Sequence, residues 1–279
     1  MRWGAVRLMT SCARYAAVLA YVLFALFPLF WLVKISFTPG PLLYTEGIRL
    51  WPSAATLANY RFVLTGSHFP YFFVNSVIVS VATALAVTVL AGAAGYALSR
   101  FRFPGRRTSL RVFLFAQMFP GVVTTIPLYV VLEKLHLLNH LGGLVLCYAT
   151  TAIPFCVFML KGYFDGLPQE LEEAVLLDGG SRFDAFYRVV LPLARPAISV
   201  TALFCFLTAW NEFILAATFM SRPQSYTLPV MLNHYVGDYA TEWGHFAAGA
   251  VLVSMPVMAL FYVVQKYLVG GLTAGAVKG

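Results

Sequence analysis

The chain has 279 residues, 60% of them hydrophobic and 11% charged, with a mean hydropathy of +0.79. Soluble domains hold about 45–50% apolar and about 25% charged residues, so this balance describes an integral membrane protein and excludes an ordinary soluble fold. The formal net charge of +8 does not mark a nucleic-acid binder, because the basic residues are scattered between apolar runs and read as topology signals.

Six apolar stretches reach the ~20 residues that a bilayer crossing needs. They are Tyr15–Ile35, Phe72–Leu98, Leu110–Leu132, Leu141–Lys161, Ala197–Met220 and Phe246–Leu268. Arg2, Arg7 and Arg14 precede the first, as they would a signal peptide. The following "ISFTPGPLL" has no small-x-small cleavage site, so the span reads as an uncleaved anchor. In the second span Ala91, Gly95 and Ser99 recur every four residues, a face on which helices approach closely. Pro120 and Pro127 in the third span, Pro154 in the fourth and Pro256 in the sixth read as kinks, or as the ordinary prolines of membrane helices. Cys12, Cys147, Cys156 and Cys205 form no C-x-x-C and have no His at ligand spacing. They read as small apolar residues, and no metal site is expected.

Orientation follows from Lys and Arg. With the N-terminus inside, fourteen of the nineteen basic residues lie on the inner side, five of them in "RFRFPGRRTSLR" and the last at Lys278. Only Lys34, Arg49, Arg61, Lys134 and Arg222 remain outside. Both termini are therefore expected in the cytoplasm, together with the loop between the fourth and fifth spans.

That loop is unusual. Pro168 is expected to open a helix with Glu170, Glu172 and Glu173 in its first turn, where the helix dipole favours acids. Leu171, Ala174, Val175 and Leu177 give this helix an apolar side. Gly179-Gly180 supplies a C-cap and corner, and Ser181 with Asp184 a capping box for a second helix. The second helix carries Phe183, Phe186, Tyr187 and Val190 until Leu191-Pro192 is expected to break it. A helix lying on lipid headgroups should be rich in Lys and Arg. From Lys161 to Pro196 there are four basic residues against six acids, which suits a protein partner better.

The spacing here resembles the "EAA" loop of binding-protein-dependent ABC importer permeases: E-A-A, three residues, Gly, nine residues, I-x-L-P. Glu173-Ala174-Val175 is followed by three residues, Gly179, nine residues and Val189-Val190-Leu191-Pro192, with Val175 and Val189 as the departures. "NSVIVS" from Asn75, "SRFRFPGR" from Ser99, "AWNEF" from Ala209, "YTLPV" from Tyr226, "EWGHFAAGAVL" from Glu242 and the ending "QKYLVGGLTAGAVKG" extend the likeness to carbohydrate-importer permeases of the maltose type.

The resemblance implies the type I ABC importer permease fold, an all-α polytopic membrane protein. It would form a single transmembrane domain over residues 1–279, with six transmembrane helices and a cytoplasmic two-helix EAA coupling loop at residues 165–196. It implies docking on a cytoplasmic ATPase by Glu173, Ala174 and Gly179, with Asp178 and Phe183 beside them. The implied partners are a dimer of ATP-binding subunits, a second related permease, an extracytoplasmic solute-binding protein and the lipid of the inner membrane, with no nucleic acid. The implied substrate is a carbohydrate or similar polyol.

Glu212, beside Asn211, falls about halfway through the fifth span, where a carboxylate is expensive. Two readings stand: the pair lines a solute path or gate, or it makes a structural hydrogen bond between helices. The five histidines lie outside the spans or at their ends, so no proton relay is visible. No G-x-x-x-x-G-K-[ST] occurs, nor a nucleophile–base pair or cofactor box, so the chain is expected to be non-catalytic, to need no cofactor and to draw energy from a partner. The outer segments Ser36–Tyr71 and Ser221–His245, with Trp51-Pro52, Phe69-Pro70, Pro223, Tyr235 and Trp243, suit either a receptor-binding surface or the usual aromatic belt. The tail "GLTAGAVKG" reads as a frayed end or as a further ATPase contact. The alternative function is a self-sufficient secondary transporter or channel, which would need an ion-coupling or selectivity site built across internal repeats.

Overall fold

The structure, a computed structural model, describes residues 2–45, 47–237 and 241–276, with side chains described between residues 11 and 266 of those ranges. It is all-α, and no strand occurs among the described residues. In chain order the helices are α1 (Arg2–Ser36), α2 (Leu42–Thr45), α3 (Ala58–Gly66), α4 (Phe69–Arg100), α5 (Arg106–Gln117), α6 (Gly121–Lys134) and α7 (Leu141–Asp165). Then come α8 (Glu170–Leu177), α9 (Arg182–Ala185), a π turn (Phe186–Val190), α10 (Leu191–Leu193), α11 (Arg195–Trp210), α12 (Ile214–Phe219), α13 (Leu228–Asn233) and α14 (Trp243–Ala276). Lys278 and the last residues of the C-terminal tail lie outside the described residues, whereas the tail's first residues continue the α14 backbone to Ala276.

Among the described residues four helices are long and apolar enough to cross a membrane: Ser11–Ser36, Phe69–Arg100, Leu141–Asp165 and Trp243–Lys266. Two bent pairs raise the number to six when each counts as one span. The third predicted span is not one helix: α5 and α6 meet at 105°. The break falls where Pro120 takes φ −58° and ψ 131°, and the pre-proline residue disfavours the α region. Pro127, Pro154 and Pro256 lie inside continuous helices. The expected break at Leu191-Pro192 also moves. Arg182–Leu193 runs on through Pro192, and a 75° bend falls before Arg195 instead. The π turn over Phe186–Val190 accounts for this. Proline has no N–H for the carbonyl four residues back, and a π turn relaxes that ladder locally.

The chain divides into two compact units. The first comprises residues 1–69 and 232–254. Here the middle of α1 is exposed on every side, while its end is pinned by the carboxamide of Asn59, which donates to the Ser36 and Thr38 carbonyls at 2.9 and 3.0 Å. A side chain at Gly244 would meet that carboxamide at 2.8 Å, so glycine lets the start of α14 approach α3. Lys34, expected as an outer topology charge, is buried, with its ammonium 4.5 Å from the Trp31 ring.

The second unit comprises residues 70–231 and 255–279. Its centre is α7, packed between α4 and α11. The predicted close-approach face of α4 is real: a Cβ on Gly95 would stand 3.1 Å from the Lys161 backbone nitrogen and 3.3 Å from the Val157 oxygen. An apolar core of Val79, Leu132, Leu144, Tyr148, Phe219 and Met220 occupies one end of this unit. The loop after α12 is tied to the same unit by Asn139, whose side-chain oxygen accepts the Ser221 and Arg222 N–H groups at 2.7 and 2.9 Å.

Candidate functional site

The loop between α7 and α11 folds as a hook with an inward and an outward side. Helix α8 begins at Glu170, later than Pro168 foretold, and ends in a Schellman arrangement. Gly180 N–H donates to the Val175 carbonyl at 2.9 Å and Gly179 N–H to Leu176 at 3.1 Å. Gly179 takes φ +84°, a conformation that a side chain disfavours. The next element is fixed by a reciprocal capping box: Asp184 N–H donates to Ser181 Oγ at 3.1 Å, and Ser181 N–H to Asp184 Oδ2 at 3.0 Å.

The inward side is held by a residue expected only as one of three dipole-stabilising acids. Glu172 is 7% exposed. Its carboxylate accepts the Tyr96 hydroxyl at 2.6 Å and Arg100 Nε at 2.5 Å, both from the last turns of α4. Arg100 also donates to the Leu167 carbonyl at 3.0 Å. A buried charge needs this degree of pairing to be tolerated. Beside it Ser99 donates to Asp165 at 2.7 Å, and Lys161 pairs with the same carboxylate at 2.5 Å. Phe186 packs on Tyr96 with ring centroids 4.4 Å apart. Helix α4 and the hook are therefore joined by ion pair, hydroxyl and ring.

The outward side carries Leu177 from the apolar side of α8 and two aromatics of the second helix, Phe183 and Tyr187. Leu177 is 88% exposed, Phe183 73% and Tyr187 64%, the two rings nearly parallel at 6.2 Å. Glu173, Ala174, Asp178 and Gly179 are exposed with them. Glu173, Ala174, Asp178, Gly179 and Phe183 thus share the exposed side of one loop with Leu177 and Tyr187, which the resemblance did not place among the docking residues.

Glu212 lies in a non-helical interval between α11 and α12, far from the hook in sequence. Its carboxylate accepts the Leu215 and Ala216 N–H groups at 2.8 and 3.1 Å and the Tyr148 hydroxyl at 2.7 Å. It thereby satisfies the first amides of α12, which a helix start in an apolar setting cannot leave unpaired. Asn211 does not pair with it: its amide donates to the Leu207 carbonyl at 2.9 Å. Of the outer aromatics, Trp51 and Trp243 are exposed, whereas Phe69 and Tyr235 are buried and unavailable as surface. Among the described residues no group of three or more His, Cys, Asp or Glu side chains is placed to hold a metal ion.

Residues 88–273, about two thirds of the chain and the whole hook, match the family described as "Binding-protein-dependent transport system inner membrane component". The chain is 37% identical over 264 residues to the diacetylchitobiose uptake system permease protein DasC of Streptomyces coelicolor, covering 94% of this chain and 96% of that protein. It is 35% identical over 286 residues to the maltose/maltodextrin transport system permease protein MalG of Vibrio parahaemolyticus, covering 96% and 95%. A chain in the crystal structure of a bacterial ABC transporter that imports the polysaccharide alginate superposes with a TM-score of 0.81, over 93% of this chain and 96% of that one, at 23% identity. The chain belongs to the family of inner-membrane components of binding-protein-dependent ABC transport systems.

Proposed function

We propose that this chain is one permease subunit of an ATP-driven importer for a carbohydrate or a similar polyhydroxylated solute, and that its hook is the site through which a separate ATPase drives it. The observation that carries the reading is the outward side of the loop. Leu177, Phe183 and Tyr187 stand in the open on a segment whose inward side is fully engaged. Burying a large apolar side chain contributes about 1.5–3 kcal/mol, so a groove that takes this patch would bind it firmly. Glu173 and Asp178 supply charge at the rim.

Closure of an ATPase dimer would move the hook, and the Tyr96–Glu172–Arg100 contacts would carry that motion into α4. The bend before Arg195 would carry it into α11. The chain itself performs no catalysis in this reading. A second permease completes the pathway, a solute-binding protein delivers the solute outside, and both termini face the cytoplasm. Support for the solute class comes from the relatives, among them permeases for diacetylchitobiose, for maltodextrin and, in SugB of Mycobacterium tuberculosis, for trehalose.

The test is reconstitution in vesicles with and without the ATPase subunits. Uptake should require both ATP and those subunits, and solute accumulation by this chain alone would establish the self-sufficient transporter instead.

A further inference from the structure

From the first unit we infer that the chain holds one pyranose ring of its solute at an outer subsite, stacked on Trp243 and Tyr44 and hydrogen-bonded by Lys34. Lys34 is 5% exposed, and its ammonium takes part in no ion pair among the described residues. A buried charge is tolerated only when it is paired or hydrogen-bonded. The Trp31 ring, 4.5 Å from the ammonium, gives it a cation–π contact but no oxygen. An ammonium has three donors and no acceptor, so it calls for an oxygen-bearing partner.

Lys34 lines a hollow of about 390 Å³ together with Trp31 of α1, Tyr44 of α2, Gly47 and Trp243, the first residue of α14. All of them belong to the first unit. Small-molecule sites span about 300–1,000 Å³, so this one has room for a sugar ring and none for a long oligosaccharide. Trp31 is already engaged, by Phe27 at 5.8 Å as well as by Lys34. Trp243 is 46% exposed and Tyr44 72%, and the Tyr44 hydroxyl makes only a long bond, 3.4 Å, to the Thr241 carbonyl. These two rings are the free platforms. A pyranose carries C–H groups on its face and oxygens round its edge; the face suits an aromatic platform and the edge suits the ammonium. An apolar ligand would leave the ammonium unpaired, and a lipid phosphate would meet one lysine where phosphate sites favour arginine forks. An interfacial aromatic belt explains tryptophans at this depth, but not a buried lysine lining the hollow between them. The inference rests on the reading of the chain as a carbohydrate importer, whose orientation puts this end of α1 outside.

Saturation-transfer NMR on the full chain in phosphatidylcholine nanodiscs tests it without reference to transport, with diacetylchitobiose, maltotriose and trehalose as probes. Saturation should pass to the ring C–H protons of at least one of these sugars. Loss of an aromatic platform should weaken that binding about fivefold in Trp243→Ala, and loss of a charged donor about tenfold in Lys34→Met. Lys34→Arg should keep most of it, and both Trp243→Ala and Lys34→Met should elute from size exclusion as the wild type does. No transfer to any of the sugars, or equal transfer in the wild type, Trp243→Ala and Lys34→Met, overturns the inference. So does loss of sugar binding when phosphatidylglycerol replaces phosphatidylcholine, which would assign the hollow to a lipid headgroup. ATP-dependent uptake in the vesicle assay, found together with any of these results, removes the subsite and leaves the importer reading standing.

Discussion

Arg100 and Glu172 stand 72 positions apart in sequence, yet Nε of one reaches Oε1 of the other at 2.5 Å in an environment largely closed to solvent. The pair fixes the start of α8 to the end of α4. Removing one partner of a buried ion pair typically costs about 3–5 kcal/mol, because the other charge is stranded. Glu172→Gln and Arg100→Gln should therefore each lower the thermal stability of the detergent-solubilised chain. The double substitution should be less damaging than the two losses added together, since no lone charge remains. Additive losses measured by fluorescence-detected size-exclusion thermostability would mean that the two side chains act independently.

The neighbouring Glu173 should behave in the opposite way. It is exposed and its carboxylate is in no ion pair among the described residues, so its substitution should leave stability within about 0.5 kcal/mol of the wild type. The contrast between two adjacent glutamates, read in the same thermostability assay, separates the inward from the outward side of the hook.

Gly95 offers a steric test of the α4–α7 contact. A methyl group there meets backbone at 3.1 Å, and overpacking of this kind costs about 1–3 kcal/mol. Gly95→Ala should reduce stability and Gly95→Leu should abolish recovery of folded chain. Full recovery of the leucine variant would show that the helices are further apart.

Cys156 on α7 and Cys205 on α11 are both buried, with sulfur atoms 3.2 Å apart. Treatment with the membrane-permeant oxidant diamide should join them, the two thiols losing two protons and two electrons to the diamide, which is reduced to its hydrazine. Counting alkylatable thiols after denaturation should show two fewer than in the untreated chain, and no change in Cys156→Ser. Four alkylatable thiols after oxidation would contradict the packing of α7 on α11.

In this geometry the Glu212 carboxylate holds the Leu215 and Ala216 amides at the start of α12 and the Tyr148 hydroxyl. Glu212→Ala strands two amides of α12 and the Tyr148 hydroxyl, whereas Glu212→Gln keeps one acceptor oxygen. Uptake should then fall in step with stability across Glu212→Gln, Glu212→Ala and Tyr148→Phe. Transport lost in Glu212→Gln at wild-type stability would instead assign the carboxylate to gating.

Much of the hook was legible because its devices are local. A glycine at φ +84° and a Ser–Asp box three residues apart announce themselves in sequence. Which glutamate turns inward was not legible, since α8 has only eight residues and Leu171, Ala174 and Leu177, the usual guides to phase, are exposed. Tyr96 and Arg100 escaped notice because their role depends on a contact made across the chain. The breaks before Gly121 and Ile214 fall within runs that are apolar on average despite Gln117, Asn211 and Glu212, so hydropathy draws each as one continuous span. Helix α12 is identified by the carboxylate that caps it, and Glu212 was noticed for its charge alone.

The most direct test of the hook as the entry point for ATP-driven motion is the Glu173→Lys chain, expressed with its partner subunits and assayed for ATPase copurification and ATP-driven uptake. The account predicts normal membrane insertion and stability, at least a tenfold loss of copurified ATPase, and no uptake above background. Wild-type levels of both ATPase and uptake would contradict it.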